Sequence, residues 1–219
     1  MAGGPTLLTE SALLAGGAAS VGGMDEVGRG ALAGPVCVGL VVVEAATPEP
    51  PVGLADSKLL TPAQRQRLAP LLAVWGRSRA TGWASAREVD QRGVVAALRL
   101  AGERALAELD EPPEAIILDG KHNWLAPPAD LFSPSVEVAC KVRVKVKADR
   151  HCACVAAASV IAKVARDQRM DVLAESYPVY HWQSNKGYGT PAHIEALRRF
   201  GPSAEHRQSW SLPSPGSPA

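Results

Sequence analysis

Apolar runs along the chain are short and dense, and the spacing inside each one predicts its conformation. Val36 to Val43 is rich in β-branched residues and reads as a strand, with Val21 to Glu26 as the strand before it, the two joined through a glycine-rich segment into an antiparallel hairpin. Pro48, Pro50 and Pro51 impose a loop, after which Thr61-Pro62 supplies a helix cap followed by proline at the first helical position, predicting a helix to about Trp75. Arg77 to Ala86 suits a third strand. Arg87 to Leu109 predicts one helix, with Val94, Val95, Leu98, Ala101, Ala105 and Leu109 on one face. Ala115 to Leu118 is a buried-strand run, and Val136 to Lys147 alternates as a further strand. From Cys152 to Glu175 helical spacing places Ala157, Val160, Ile161, Val164 and Ala165 on one side and Ser159, Lys163 and Asp167 on the other. Thr190 caps a last short helix, Pro191 to Phe200.

Both ends lack such periodicity. Residues 1–20, rich in Gly, Ala, Ser and Thr, predict a disordered extension, and the Pro/Ser-rich residues 212–219 a flexible tail. With 219 residues and 47% hydrophobic content, one main domain with a small appendage is expected. No apolar run approaches the roughly 20 residues of a membrane span, and the first basic residue is Arg29, so no membrane partner and a cytoplasmic location are expected. The four cysteines lack a disulfide framework, and His151-Cys152-x-Cys154 lacks the second cluster that a zinc site needs.

A net charge of only +1 means that any attraction to nucleic acid must come from a local patch. In the strand ending at Lys147, Lys141, Arg143, Lys145 and Lys147 share one face, either a solvated edge or a track for a phosphate backbone. Were that strand to continue, Asp149 would fall on the basic side.

Candidate chemistry concentrates in Met24 to Val36, where Asp25 and Glu26 run into Gly28-Arg29-Gly30. Carboxylates are hard oxygen ligands suited to magnesium or manganese, and glycines let backbone N–H groups approach an anion. The Gly-x-Gly-x-x-x-Gly spacing also invites a dinucleotide reading, but Pro35 and the strand after it replace the helix which that motif opens. A plain hairpin with exposed acids is the other alternative. Asp119 ends an all-apolar strand before Gly120, as a site acid or a turn former. Lys58 is a solvated loop lysine or a phosphate contact. Asp167 stands at i+4 from Lys163, so a helix-surface pair accounts for it and leaves Asp149 the better candidate acid. Tyr188, between Gly187 and Gly189, suits stacking on a sugar or base as well as a structural role.

Three segments together resemble ribonuclease HII, the bacterial type 2 ribonuclease H: Asp25-Glu26-Val-Gly-Arg-Gly, Ile117-Leu-Asp119-Gly, and Ala157-Ala-Ser-Val-Ile-Ala-Lys-Val-Ala-Arg-Asp167. Asp56-Ser57-Lys58 and Lys186-Gly187-Tyr188-Gly189-Thr190 follow the same family order, and Ala31, Ala148 and Ala156 depart from the proline, glycine and serine expected there. The resemblance implies an α/β fold, a ribonuclease H-like mixed β-sheet flanked by helices over residues 21–175, with a small helical C-terminal region, 176–211, clamping the duplex. It implies Asp25, Glu26, Asp119 and Asp149 as catalytic acids holding two Mn2+ or Mg2+ ions. Substrate contacts would come from Gly28, Arg29, Gly30, Lys58, Ser159, Lys163 and Tyr188. The implied enzyme is a monomeric endoribonuclease acting on RNA–DNA hybrids and on duplex DNA containing ribonucleotides, cutting on the 5′ side and leaving 5′-phosphate and 3′-hydroxyl ends. A non-catalytic nucleic-acid-binding module is the alternative of another class.

Overall fold

Small residues at two sheet positions decide how the layers meet. In the computed structural model, which describes residues 4–126, 140–213 and 215, β1 (Val21–Val27) pairs antiparallel with β2 (Val36–Val43), the expected hairpin. β2 pairs antiparallel with β3 (Ser78–Ala84), and β1 pairs parallel with β4 (Ala115–Asp119), which pairs parallel with β5 (Lys141–Lys145). Among the described residues the order is β3-β2-β1-β4-β5, a mixed sheet. β2 is buried along its whole length because helices cover both faces, which is why its sequence is continuous rather than alternating.

On one face lie α2 (Pro62–Leu72) and the long α6 (Ala153–Ser176), packed on Val21, Val41, Val43, Ala115 and Ile117. On the other lie α3 (Ala86–Arg92) and α4 (Val94–Ala107), packed on Met24, Leu40, Val42, Ile116 and Leu118. The single helix expected over Arg87 to Leu109 is thus two, because Gly93 takes φ 76°, a left-handed conformation that interrupts the hydrogen-bond ladder. Ser85 starts the first of them with a reciprocal capping box to Glu88, and Thr61 does the same for α2 with Gln64. A third cluster, around Met170, Tyr180, Trp182 and Leu197, joins the end of α6 to α7 (Trp182–Asn185) and α8 (Pro191–Phe200).

Two expectations are corrected. Residues 4–20 are not a disordered leader, since they contain α1 (Leu8–Ala15), whose Leu13 and Leu14 pack against the α6-side core together with Leu7 and Ala18. Apolar pairs too sparse to show a period suffice once a core is there to receive them. The strand ending at Lys147 stops at Lys145, because Lys147 adopts φ 59° and the chain turns into α5 (Ala148–His151). Residues 136–139 of that expected strand, and residues 214 and 216–219 of the expected tail, lie outside the described residues. No helix among the described residues is long and apolar enough to cross a membrane.

A Cβ at Gly39 would stand 2.2 Å from the Ala158 carbonyl oxygen of α6, whereas one at Gly30 would meet nothing within 4 Å. Gly39→Ala is therefore expected to destabilise the protein by at least about 1–3 kcal/mol, with Gly30→Ala close to wild type. Urea unfolding midpoints check this, and equal midpoints for Gly39→Ala and wild type would contradict so close a packing.

Candidate active site

Parallel pairing aligns Met24 of β1 with Leu118 of β4, so the next residues, Asp25 and Asp119, leave the same edge of the sheet side by side. Asp25 is only 3% exposed. Burial pushes its carboxyl up to about 8, with Glu26 the next cause and Asp119 a smaller one, while Lys58 and a hydrogen bond from Ser159 oppose the rise. Glu26, half-buried and next to last in β1, keeps the strand register opposite Val38 and also feels Asp119. Burial raises its carboxyl, and the Arg29 guanidinium 3.4 Å away opposes this.

Asp149 reaches the group by another route than the one expected. Asp119 Oδ1 accepts a 2.7 Å hydrogen bond from the Ala148 backbone N–H, drawing the first turn of α5 to the sheet edge. Asp149, in that turn and 4% exposed, is raised by burial and then by Asp119 and Asp56. Lys58 Nζ lies 3.5 Å from Asp149 Oδ2. Burial works against the charge on Lys58, but Asp25, Asp56, Asp149 and Asp119 together outweigh it and raise the ammonium. One lysine therefore faces four carboxylates.

The loop after β1 presents the opposite pattern of backbone groups. Buried Arg207 donates to the carbonyls of Arg29 (2.8 Å), Gly28 (2.6 Å) and Gly34 (3.2 Å). Buried Arg166 donates to those of Pro35 (2.9 Å), Ala33 (3.1 Å) and Lys186 (2.9 Å). With its carbonyls tied inward, the loop keeps the N–H groups of Arg29 and Gly30 without an acceptor among the described residues. Gly28 needs its residue type, since φ is +84° and a Cβ would fall 2.1 Å from Arg166 Nε. Nothing internal requires glycine at position 30. Tyr188 is half-buried beside this loop, its hydroxyl accepting from the Gly28 N–H at 3.2 Å and its ring 5.4 Å from the Arg166 guanidinium carbon.

Two expected contacts lie elsewhere. Ser159 is 2% exposed, beneath Asp25, with its hydroxyl 2.7 Å from that of Ser57, so it supports the acids rather than lining the surface. Apolar neighbours on an alanine-rich helix hid this, because helical spacing alone put Ser159 on the polar side. Lys163 is engaged by Asp167 at 2.7 Å, the pair read from the sequence, and Arg65 approaches the same carboxylate at 4.0 Å. Lys141, Arg143 and Lys145 share the sheet face of Ala115, Ile117 and Asp119, as alternation predicts.

Sequence reasoning missed Arg166, Arg207 and a histidine pair. His193 Nδ1 is 2.9 Å from the Tyr188 carbonyl oxygen, and its Nε2 is 3.1 Å from Trp182 Nε1 and 3.0 Å from His206 Nε2. Because Ser203 N–H donates to His206 Nδ1 (2.9 Å), His206 carries its proton on Nε2 and donates to His193, which donates to Tyr188. No periodicity signals such a relay. Burial pulls both rings down, His206 to about 4.

Among the described residues no three His, Cys, Asp or Glu side chains are grouped so as to hold a metal ion. The donor chemistry nevertheless fits a hard divalent cation, because Asp25, Glu26, Asp119 and Asp149 offer only carboxylate oxygens, with burial holding three of them above their ordinary range. A cavity of about 470 Å³ between α1 and the β4–β5 edge is lined by Leu13, Ile117 and Arg143 and includes none of these acids.

Comparison with known proteins bears on the same residues. The family model for Ribonuclease HII matches residues 22–212. A ribonuclease HII of Streptomyces griseus is 47% identical over 211 residues, covering 94% of this chain and 84% of that protein. One from Thermus thermophilus is 44% identical over 191 residues, covering 87% and 86%. The crystal structure of ribonuclease H2 from Pyrococcus horikoshii superposes with a TM-score of 0.66 at 26% identity, over 88% of this chain and 94% of that one.

The raised Asp25 carboxyl favours the folded state while protonated, so its contribution is full below 3.8 and is lost as pH rises through about 8. In chelator, melting temperature should therefore fall along this limb in wild type and much less in Asp25→Asn. Parallel profiles would contradict the burial. His206 acts in the other sense, its stabilisation present above 6.5 and lost as pH falls through about 4. His206→Gln should flatten that acid limb in the same melting series.

Proposed function

The chain belongs to the ribonuclease HII family and is a ribonuclease H, and from that premise we propose that it nicks duplex DNA on the 5′ side of embedded ribonucleotides as well as cutting the RNA strand of hybrids. The products are a 5′-phosphate and a 3′-hydroxyl. The observation that carries this reading is the juxtaposition of Asp25, Asp119 and Asp149 around Lys58 with a loop whose carbonyls are tied inward and whose N–H groups at Arg29 and Gly30 have no acceptor among the described residues. Its four cysteines are buried and free, which suits a reducing cytoplasm.

Asp25, Glu26, Asp119 and Asp149 would hold Mn2+ or Mg2+. Divalent cations held there would supply a lowered pKa for an attacking water and charge neutralisation for the leaving oxygen. Lys58, already turned to the acids, supplies a further positive charge for the phosphodiester. The loop N–H groups and Arg29 meet the ribose 2′-hydroxyl and its phosphate, and a site built to bind that hydroxyl strongly rejects a nucleotide lacking it. Gly30, which no internal contact constrains, leaves room for that approach. Tyr188 stacks on the neighbouring nucleotide at the RNA–DNA junction, held in place by Gly28 on one side and the histidine relay on the other. Residues 176–211, which carry it, clamp the duplex, and the enzyme acts as a monomer.

A metal-dependent cleavage assay on a duplex with one embedded ribonucleotide tests the reading. Asp119→Asn and Asp149→Asn should each abolish cleavage, whereas Asp167→Asn, whose acid is explained by Lys163, should cost far less. An inactive, folded Asp167→Asn beside an active Asp149→Asn would reverse the assignment. Tyr188→Ala should lose roughly five- to 150-fold in kcat/KM, the worth of one stacked base, and more on the single ribonucleotide than on a continuous hybrid. Tyr188→Phe should fall between, since it keeps the ring but leaves the Gly28 N–H without its acceptor. Equal losses on both substrates would remove the junction role.

A further inference from the structure

The family match begins at residue 22, yet the residues before it grip the segment that carries Asp149. Thr6 forms a β-bridge with Cys152, its N–H donating to the His151 carbonyl at 3.2 Å and its carbonyl accepting from the Ala153 N–H at 3.0 Å. Thr9 Oγ1 accepts from Lys145 Nζ at 2.7 Å, at the end of β5. Glu10, fully buried, accepts from the Cys154 N–H at 2.9 Å.

That last contact answers a deficiency in α6. Cys152 at its N-cap makes no side-chain cap hydrogen bond, and its first turn holds no acid. Exposed N–H groups and the positive end of the helix dipole call for a carboxylate there, and Glu10 supplies it from α1, 144 residues away. α5 is therefore held from two sides. In front, Asp119 binds the Ala148 N–H, and behind, Thr9, Thr6 and Glu10 fix residues 145, 151, 153 and 154. Asp149 sits between these anchors on a helix of four residues, too short to hold its own direction.

We infer that the N-terminal segment is a positioning element of the active site, with Glu10 as its central residue, aiming Asp149 by fixing the start of α6 behind α5 while Thr9 holds the Lys145 side chain before it. The inference rests on the reading of Asp149 as a metal-holding acid. Glu10 touches no substrate and acts only through α5.

The test uses the full chain and manganese chloride, measured by calorimetry without substrate, alongside kcat and KM on a hybrid and melting in chelator. Glu10→Ala should weaken Mn2+ binding by roughly 10- to 100-fold, as loss of an outer support does, and lower kcat with little change in KM. Glu10→Gln retains an oxygen acceptor for Cys154 N–H and should recover most of the loss. Added to Asp149→Asn, Glu10→Ala should weaken Mn2+ binding less than about twofold further, since groups acting through one another do not add. Thr9→Val, a milder change, should weaken Mn2+ on the order of two- to tenfold, the worth of one hydrogen bond, at an unchanged melting temperature, and decides the matter should Glu10→Ala not fold. Wild-type Mn2+ affinity in Glu10→Ala or Thr9→Val, or losses that multiply in the double variant, would overturn the inference. Wild-type Mn2+ affinity and cleavage in Asp149→Asn would instead overturn the assignment of Asp149, and the inference with it.

Discussion

The close approach of α6 to β1 and β2 is the constraint on which the rest depends. A Cβ at Gly23 would stand 2.4 Å from Val155 N, and one at Gly39 would stand 2.2 Å from Ala158 O, so backbone meets backbone with no side-chain layer between them. The helix answers with an unbroken small-residue stretch, Ala156, Ala157, Ala158 and Ser159, all buried. This distance brings Ser159 beneath Asp25 and, two turns on, Arg166 beneath the loop at 28–35. A larger residue at either glycine would lift the helix and shift both halves of the site together.

The two halves handle buried charge in opposite ways. Arg166 and Arg207 are fully buried with no ion-pair partner among the described residues, and three backbone carbonyls accept from each guanidinium in a fixed fork, although Arg207 Nε has no acceptor among the described residues. That arrangement ties the loop's carbonyls inward and leaves the N–H groups of Arg29 and Gly30 without an acceptor among the described residues. The acids, by contrast, are crowded, and Lys58 with Arg29 beside Glu26 offsets them only in part, so their charge is an unfavourable term of the isolated protein. Cations held there as proposed would relieve it and would couple the stability of this region to the occupancy of the site.

What was legible in the sequence was whatever local pattern controls. β-branched density placed β2, Thr61-Pro62 placed the start of α2, and i, i+4 spacing paired Lys163 with Asp167. Asp25 and Glu26 stood out as adjacent carboxylates running into Gly28-Arg29-Gly30, and Asp119 as an acid ending an all-apolar strand, and the sheet brings these acids to one edge. Features set by distant partners were not legible. Ser159 looks solvent-facing until the sheet is laid against its helix, and Arg166, read only as part of a family block, carries no local sign of burial. Asp149 was placed beside the basic stripe on the wrong geometry, since strand parity was carried through Lys147, where the left-handed turn ends it.

The N-terminal segment illustrates the same limit from the other side. Its composition argues for disorder because no single turn of α1 buries enough apolar surface to fold alone, and α1 spans only eight residues, below the length at which an isolated helix persists. Its order is borrowed from α6, through Glu10 on the helix terminus and Leu13 and Leu14 on the core. Order obtained in this way runs in both directions: a segment that is structured only by its contacts also restricts the elements it contacts. Here those elements are the end of β5 and the start of α6, between which α5 has only four residues and Asp149 has a direction to keep.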